Sequence, residues 1–99
     1  MTLEEAFCRE AEKNAQTAML AHGAPTKRLL LALEQSGLEP VRESARRHRV
    51  SDGFDHLSRL GHLELTPEAL MTKGKYGTLF TDDEVNWALN TLMEAGYFG

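Results

Sequence analysis

Apolar residues recur along this chain at three- and four-residue intervals, with polar residues between them. Leu3, Phe7, Ala11, Ala15, Ala18 and Met19 fall on one face of a helix of 3.6 residues per turn. Thr2 and Glu5 have the spacing of a capping box, and Gly23 supplies a residue able to end the helix in the left-handed region. This pattern predicts a first helix over 3–21. Its stripe is mostly alanine, so a partner helix can come close while each residue buries little area. Pro25 suits the first position of a second helix and Gly37 its far end. Between them Leu29, Leu30, Leu31, Ala32 and Leu33 run consecutively. They would cover most of a helix's circumference, which predicts a central element touched from several sides.

Pro40 opens a third predicted helix, with Val41, Ala45 and His48 turned inward. Ser51 reads as the N-cap of a fourth, with Phe54, Leu57 and Leu60 on its buried face and Gly61 after it. His62 to Leu65 is too short for a confident strand and has no second strand to pair with, so an extended connector is expected. Thr66, Pro67 and Glu68 provide the N-cap, first position and acidic first turn of a short helix reaching Thr72. Lys73 to Gly77 then interrupts as a turn. The last helix, predicted over 82–95, is the best specified. Thr81 and Glu84 form a second capping box, Asp82 and Asp83 complement the positive helix end, and Phe80 and Val85 have the spacing of a hydrophobic staple. Val85, Ala88, Leu89, Leu92 and Met93 form its apolar face, and Gly96 with Tyr97 predicts a Schellman ending folded back on Leu92.

No segment alternates apolar and polar residues with β-branched enrichment, and the chain has no isoleucine. The expected fold is therefore all-α, a compact single-domain bundle over 1–99 of about five short helices with short connections. Composition agrees with a folded core. Of 99 residues, 41% are hydrophobic and 26% charged, unlike a disordered tract or a fibrous repeat. A net charge of -4 argues against coating nucleic acid or anionic membrane through bulk charge. The single cysteine, Cys8, needs no oxidising compartment and reads as a partly buried, inert thiol, which fits a cytoplasmic setting. The start Met1 to Glu5 lacks the basic and apolar regions of a signal peptide, and the longest apolar run, Leu29 to Leu33, is too short for a bilayer. Neither export nor a membrane partner is expected.

Charge is unevenly placed. Residues 1–26 carry two basic and four acidic side chains, 27–50 six and three, and 51–99 three and eight. In the basic middle, Arg42, Arg46 and Arg49 stand at i, i+4 and i+7, with Arg47 and His48 beside them. On a continuous helix three guanidinium groups would present one face to phosphate or carboxylate. Alternatively, Glu39 and Glu43 pair with these arginines on a solvated face. From Val41 to Leu60 the chain resembles a helix-turn-helix, with Ala45 at the small-residue position of the first helix and Val50-Ser51 at the apolar and cap positions before the second. The resemblance implies DNA reading by the second of these helices. Arg49 stands where that motif carries glycine and Asp55 where it carries a buried apolar residue, while Asp52 and Asp55 would oppose phosphate.

Reactive constellations are sparse. His22, His48, His56 and His62 offer no pair at metal-ligand spacing on one helix, so neither metal nor cofactor is expected. Asp52, Asp55 and His56 cluster in sequence, but Asp52 and Asp55 are read as first-turn decoration in preference to an acid–base set, and no phosphate loop or nucleophile elbow is present, so no enzymatic activity is expected. Lys73, Lys75 and Tyr76, with their flanking glycines, read as an adaptable contact loop with Tyr76 as its amphipathic anchor. Trp87 lies about 100 to 200 degrees off the main stripe of the last helix, where it widens the core or anchors an interface. The expected function is a non-enzymatic protein–protein interaction module: an adaptor, an inhibitor or a regulatory subunit. Its candidate surface is Arg42, Arg46, Arg47, Arg49, Lys73, Lys75, Tyr76 and Trp87, and the acidic C-terminal half suggests a positively charged partner. The alternative is a small DNA-binding regulator using 41–60.

Overall fold

Thr2 starts the longest helix as its sequence requires. Its hydroxyl accepts the Glu5 amide at 3.1 Å while the Glu5 carboxylate accepts the Thr2 amide at 3.2 Å, closing both arms of the capping box. In the computed structural model, which describes residues 1–98, this helix, α1, spans Leu3–His22 and ends at Gly23 with φ of 65°. Phe7, Ala11, Ala15 and Ala18 are its buried residues. α2 (Lys27–Ser36) packs back on α1 more extensively than any other helix pair in the fold. Pro25 is not its first residue. The buried Thr26 intervenes, donating its hydroxyl to the Ala15 carbonyl at 2.7 Å, and the helix begins after it. Nor is α2 surrounded. It meets α1 and α3 (Glu39–Arg46), so Leu29 and Leu33 are buried, Leu30 is half-buried and Leu31 is 44% exposed.

Val41 and Ala45 face inward from α3 as predicted. His48 does not. The helix stops at Arg46, and His48, at φ of 54°, lies exposed beyond it. α4 (Phe54–Leu60) is capped by Gly53 and not by Ser51, whose amide and hydroxyl both donate to Glu68 instead. Phe54 and Leu57 are buried, whereas Leu60 stands half-exposed, about 120 degrees round the helix from Phe54. The expected extended connector is a 3-10 turn over Leu63–Leu65. Thr66 then caps α5 (Pro67–Met71), all five residues of which are buried.

A second 3-10 segment, Gly74–Leu79, replaces the predicted open turn and carries Tyr76 into the core. α6 (Asp82–Glu94) has both arms of its capping box, with Phe80 buried before it. The Tyr97 amide donates to the Leu92 carbonyl at 2.9 Å past Gly96, which has φ of 82°, giving the Schellman ending. Ala88 and Leu92 are buried. Met93, expected beside them, is 62% exposed, on the side of α6 away from its main contacts with α3 and α5.

The main core joins Phe7, Leu33, Val41, Leu70, Tyr76 and Ala88 from six segments, and smaller clusters form around Phe54 with Leu92 and around Ala18 with Leu57. Among the described residues there is no strand. The radius of gyration, 12.2 Å, is that of one compact domain, near the value of about 13 Å expected for 100 residues. The fold is thus all-α, with five helices of seven or more residues, the five-residue α5 and two 3-10 segments. None of the helices is long and apolar enough to cross a membrane.

Candidate functional site

The structure divides the basic middle of the chain instead of gathering it. Arg42 and Arg49 cannot share a helix face, because α3 ends at Arg46 and the backbone then turns, the Arg49 amide donating to the Ser44 carbonyl at 2.9 Å. Arg42 is used structurally: Nε and Nη2 donate to the Leu79 carbonyl at 3.2 and 3.0 Å. Arg46 donates to Glu39 at 3.0 Å and to Glu43 at 2.9 Å, and Arg47 Nε lies 2.7 Å from Glu43. Arg49 makes no ion pair and no side-chain hydrogen bond among the described residues.

Lys73, Lys75 and Tyr76 form a separate cluster, in which a carboxylate fixes the segment. Lys73 Nζ and the Tyr76 hydroxyl donate to Glu10 at 2.9 and 2.7 Å, and Lys75 Nζ stands 3.5 Å away. The Tyr76 hydroxyl, then Lys73, hold the Glu10 carboxyl down at about 2. Tyr76 is not a surface anchor. It is 2% exposed and packs edge-on against Phe7, with ring centroids 5.1 Å apart. Glycine-flanked lysines suggested a contact loop; the missing signal was Glu10, 66 positions away and reachable only through the fold.

Arg47, Arg49 and Trp87 do converge, on a cleft of about 390 Å³ between α2, α3 and α5. Leu29, Ala32, Val41 and Met71 supply an apolar floor, while Arg28, Arg47 and Arg49 supply cationic walls. The connection 47–53 forms the lip. Asp52 accepts from Arg28 Nε and Nη2, both at 2.9 Å, which holds one end of this lip to α2. Ser51 donates its amide and hydroxyl to Glu68, both at 2.7 Å, and holds the middle to α5. The His48 ring lies parallel to Trp87 at 6.0 Å, with Nε2 3.3 Å from Asp83, and holds the other end to α6. Trp87 both packs against the core and lines the cleft.

Glu68 is the residue that pattern reading missed. Read from the sequence only as the acidic first turn of the short helix, it is 2% exposed, and burial pushes its carboxyl up despite the two bonds from Ser51. No sequence spacing links positions 51 and 68. The only local hint is that Glu68 precedes Ala69, Leu70 and Met71 without a polar break.

Asp52, Asp55 and His56, neighbours in sequence, make separate contacts in the fold. Asp52 belongs to Arg28, Asp55 is exposed, and His56 Nε2 lies 2.9 Å from the His22 carbonyl. His22 and His62 stack at 4.0 Å, and His62 Nδ1 lies 3.0 Å from Glu64. Among the described residues no group of three His, Cys, Asp or Glu side chains is placed to hold a metal. Cys8 is half-buried, and burial, with Glu4 and Glu12 nearby, pushes its thiol up. The segment resembling a helix-turn-helix has a connection of seven residues, 47–53, between α3 and α4, against about three or four in that motif. α4 packs on the Leu63–Leu65 turn, whereas α3 packs on α2 and α6.

Comparison with protein-family models, with curated proteins and with solved structures found no match to this chain.

Proposed function

We propose that this chain is a small non-enzymatic protein-interaction module of the reducing cytoplasm, contacting its partner through the face centred on the cleft. The observation that carries this reading is the union of an apolar floor with arginine walls and a bordering tryptophan. Arginine and tryptophan dominate binding hot spots because each couples a large apolar area to directed donors. The volume, about 390 Å³, suits one or two side chains of a partner. Arg46 and Arg47 are already matched by Glu39 and Glu43, which lessens the charge left for phosphate and supports protein contact over DNA.

Photo-crosslinking in the cells that express the chain tests the proposal. A photoreactive residue replacing Val50, on the cleft lip, should yield one defined protein adduct, while the same residue replacing Gln16, on the exposed side of α1, should yield none. Equal labelling from both positions, or none from Val50, would count against it.

A further inference from the structure

We infer that the cleft takes a short partner segment that sets a carboxylate beside an apolar side chain, an assignment that rests on the interaction reading and names the partner's chemistry. The charged groups bordering the cleft are not all matched within the fold. Three acids border it, and each is already engaged as an acceptor: Glu43 by Arg46 and Arg47, Asp52 by Arg28, and Glu68 by Ser51. The arginines keep donors in reserve. A guanidinium has five N–H groups, and Arg28 spends two of its nitrogens on Asp52 while 86% of its side chain stays exposed. Arg49 spends none on any described side chain. Among the described residues Arg49 is thus the cleft cation with no carboxylate beside it, and its planar fork has the geometry that matches a carboxylate. Beneath the arginines, Leu29, Val41 and Met71 offer nothing polar. A ligand satisfying both levels carries an anion on one residue and an aliphatic group on its neighbour. This inverts the charge expected of the partner from the acidic C-terminal half, because the surface that is concave belongs to the basic middle.

Trp87 is the only tryptophan and lines the cleft, so its fluorescence reports occupancy without a label. The intact chain is titrated with a blocked hexapeptide alternating leucine and glutamate, with its leucine–glutamine counterpart, and with a glutamate–glycine peptide lacking the aliphatic groups. The leucine–glutamate peptide should give a saturable shift, and each control should bind at least about tenfold more weakly. Arg49→Gln, which removes no ion pair or side-chain hydrogen bond among the described residues, should weaken the first peptide about five- to tenfold, whereas Lys13→Gln on α1 should not. Ala32→Phe should block binding at unchanged net charge, with helicity checked by circular dichroism. Equal binding of the glutamine peptide, or an affinity indifferent to Arg49→Gln, would overturn the assignment. So would displacement of the peptide by duplex DNA at lower concentration than by free peptide. An adduct from Val50 with no peptide response overturns this assignment alone; the absence of both overturns the interaction reading as well.

Discussion

At the residue scale, two buried or half-buried glutamates act in opposite directions on stability. Glu10, held at about 2 against an ordinary 4.5, is ionised in the fold where the unfolded chain would bind a proton. Its contribution is therefore fully present above about pH 4.5 and is lost as pH falls towards 2. Glu10→Gln keeps an acceptor for Tyr76 but loses the lysines. It should cost about 1–2 kcal/mol at pH 7 once solvent screening of the lysines is allowed for, with the difference shrinking in urea melts run at successively lower pH. Glu68 has its folded value raised, so its contribution is largest below 4.5 and is lost as pH rises through that raised value. Glu68→Gln can accept from the Ser51 amide and donate to its hydroxyl, so it should match or exceed the parent in stability at pH 7. Glu68→Ala should lose about 1–3 kcal/mol by leaving the part-buried Ser51 amide and hydroxyl without their acceptor. The sequence made the local partners legible: Thr2 with Glu5 and Thr81 with Glu84 lie three apart, within reach of one turn. Glu10 and Glu68 find partners 66 and 17 positions away, and no local rule ranks such pairs.

At the element scale, helix positions followed from caps and breakers, while burial depended on neighbours that periodicity does not name. Five consecutive apolar residues identified α2 but gave no means of ordering its faces. α1 and α3 do that, and Leu33→Ala should cost about 2–5 kcal/mol where Leu31→Ala costs about 1 kcal/mol or less, as measured by chemical denaturation. The start of α4 was misplaced for a similar reason: Ser51 is a good cap in isolation, but its amide and hydroxyl donate to Glu68, which turns it towards α5 and away from the helix start. Gly53 replaces it under two constraints, φ of 87° and a Cβ that would stand 2.6 Å from Thr26 Cγ2. Gly61 shares only the first, with nothing within 4 Å of its Cβ position. Gly61→Ala should therefore cost about 1 kcal/mol and Gly53→Ala clearly more, with the excess recovered when Thr26 is replaced by serine, which keeps the hydroxyl.

At the scale of the whole molecule, the arginines that lay together in sequence serve three places: an anchor for the Leu79 carbonyl, a network with Glu39 and Glu43, and the cleft wall. A chain of net charge -4 with its cations so divided should show no submicromolar affinity for duplex DNA at about 150 mM salt, where charges beyond about 8 Å are screened. Fluorescence anisotropy against random and genomic duplexes checks this. The cleft was legible only in part, since Trp87 and Arg49 were singled out but Leu29, Ser51 and Glu68, which complete it, come from separate elements. α5 has a further consequence for the order of folding. A five-residue helix is too short to persist alone, and all of its residues are buried by the surrounding elements. It can form only as the rest of the chain assembles, and it has no solvent-facing side from which to fray. Its interior amides should therefore be among the last to exchange with deuterium, opening only with global unfolding, while the short, half-exposed α4 exchanges through local opening well before.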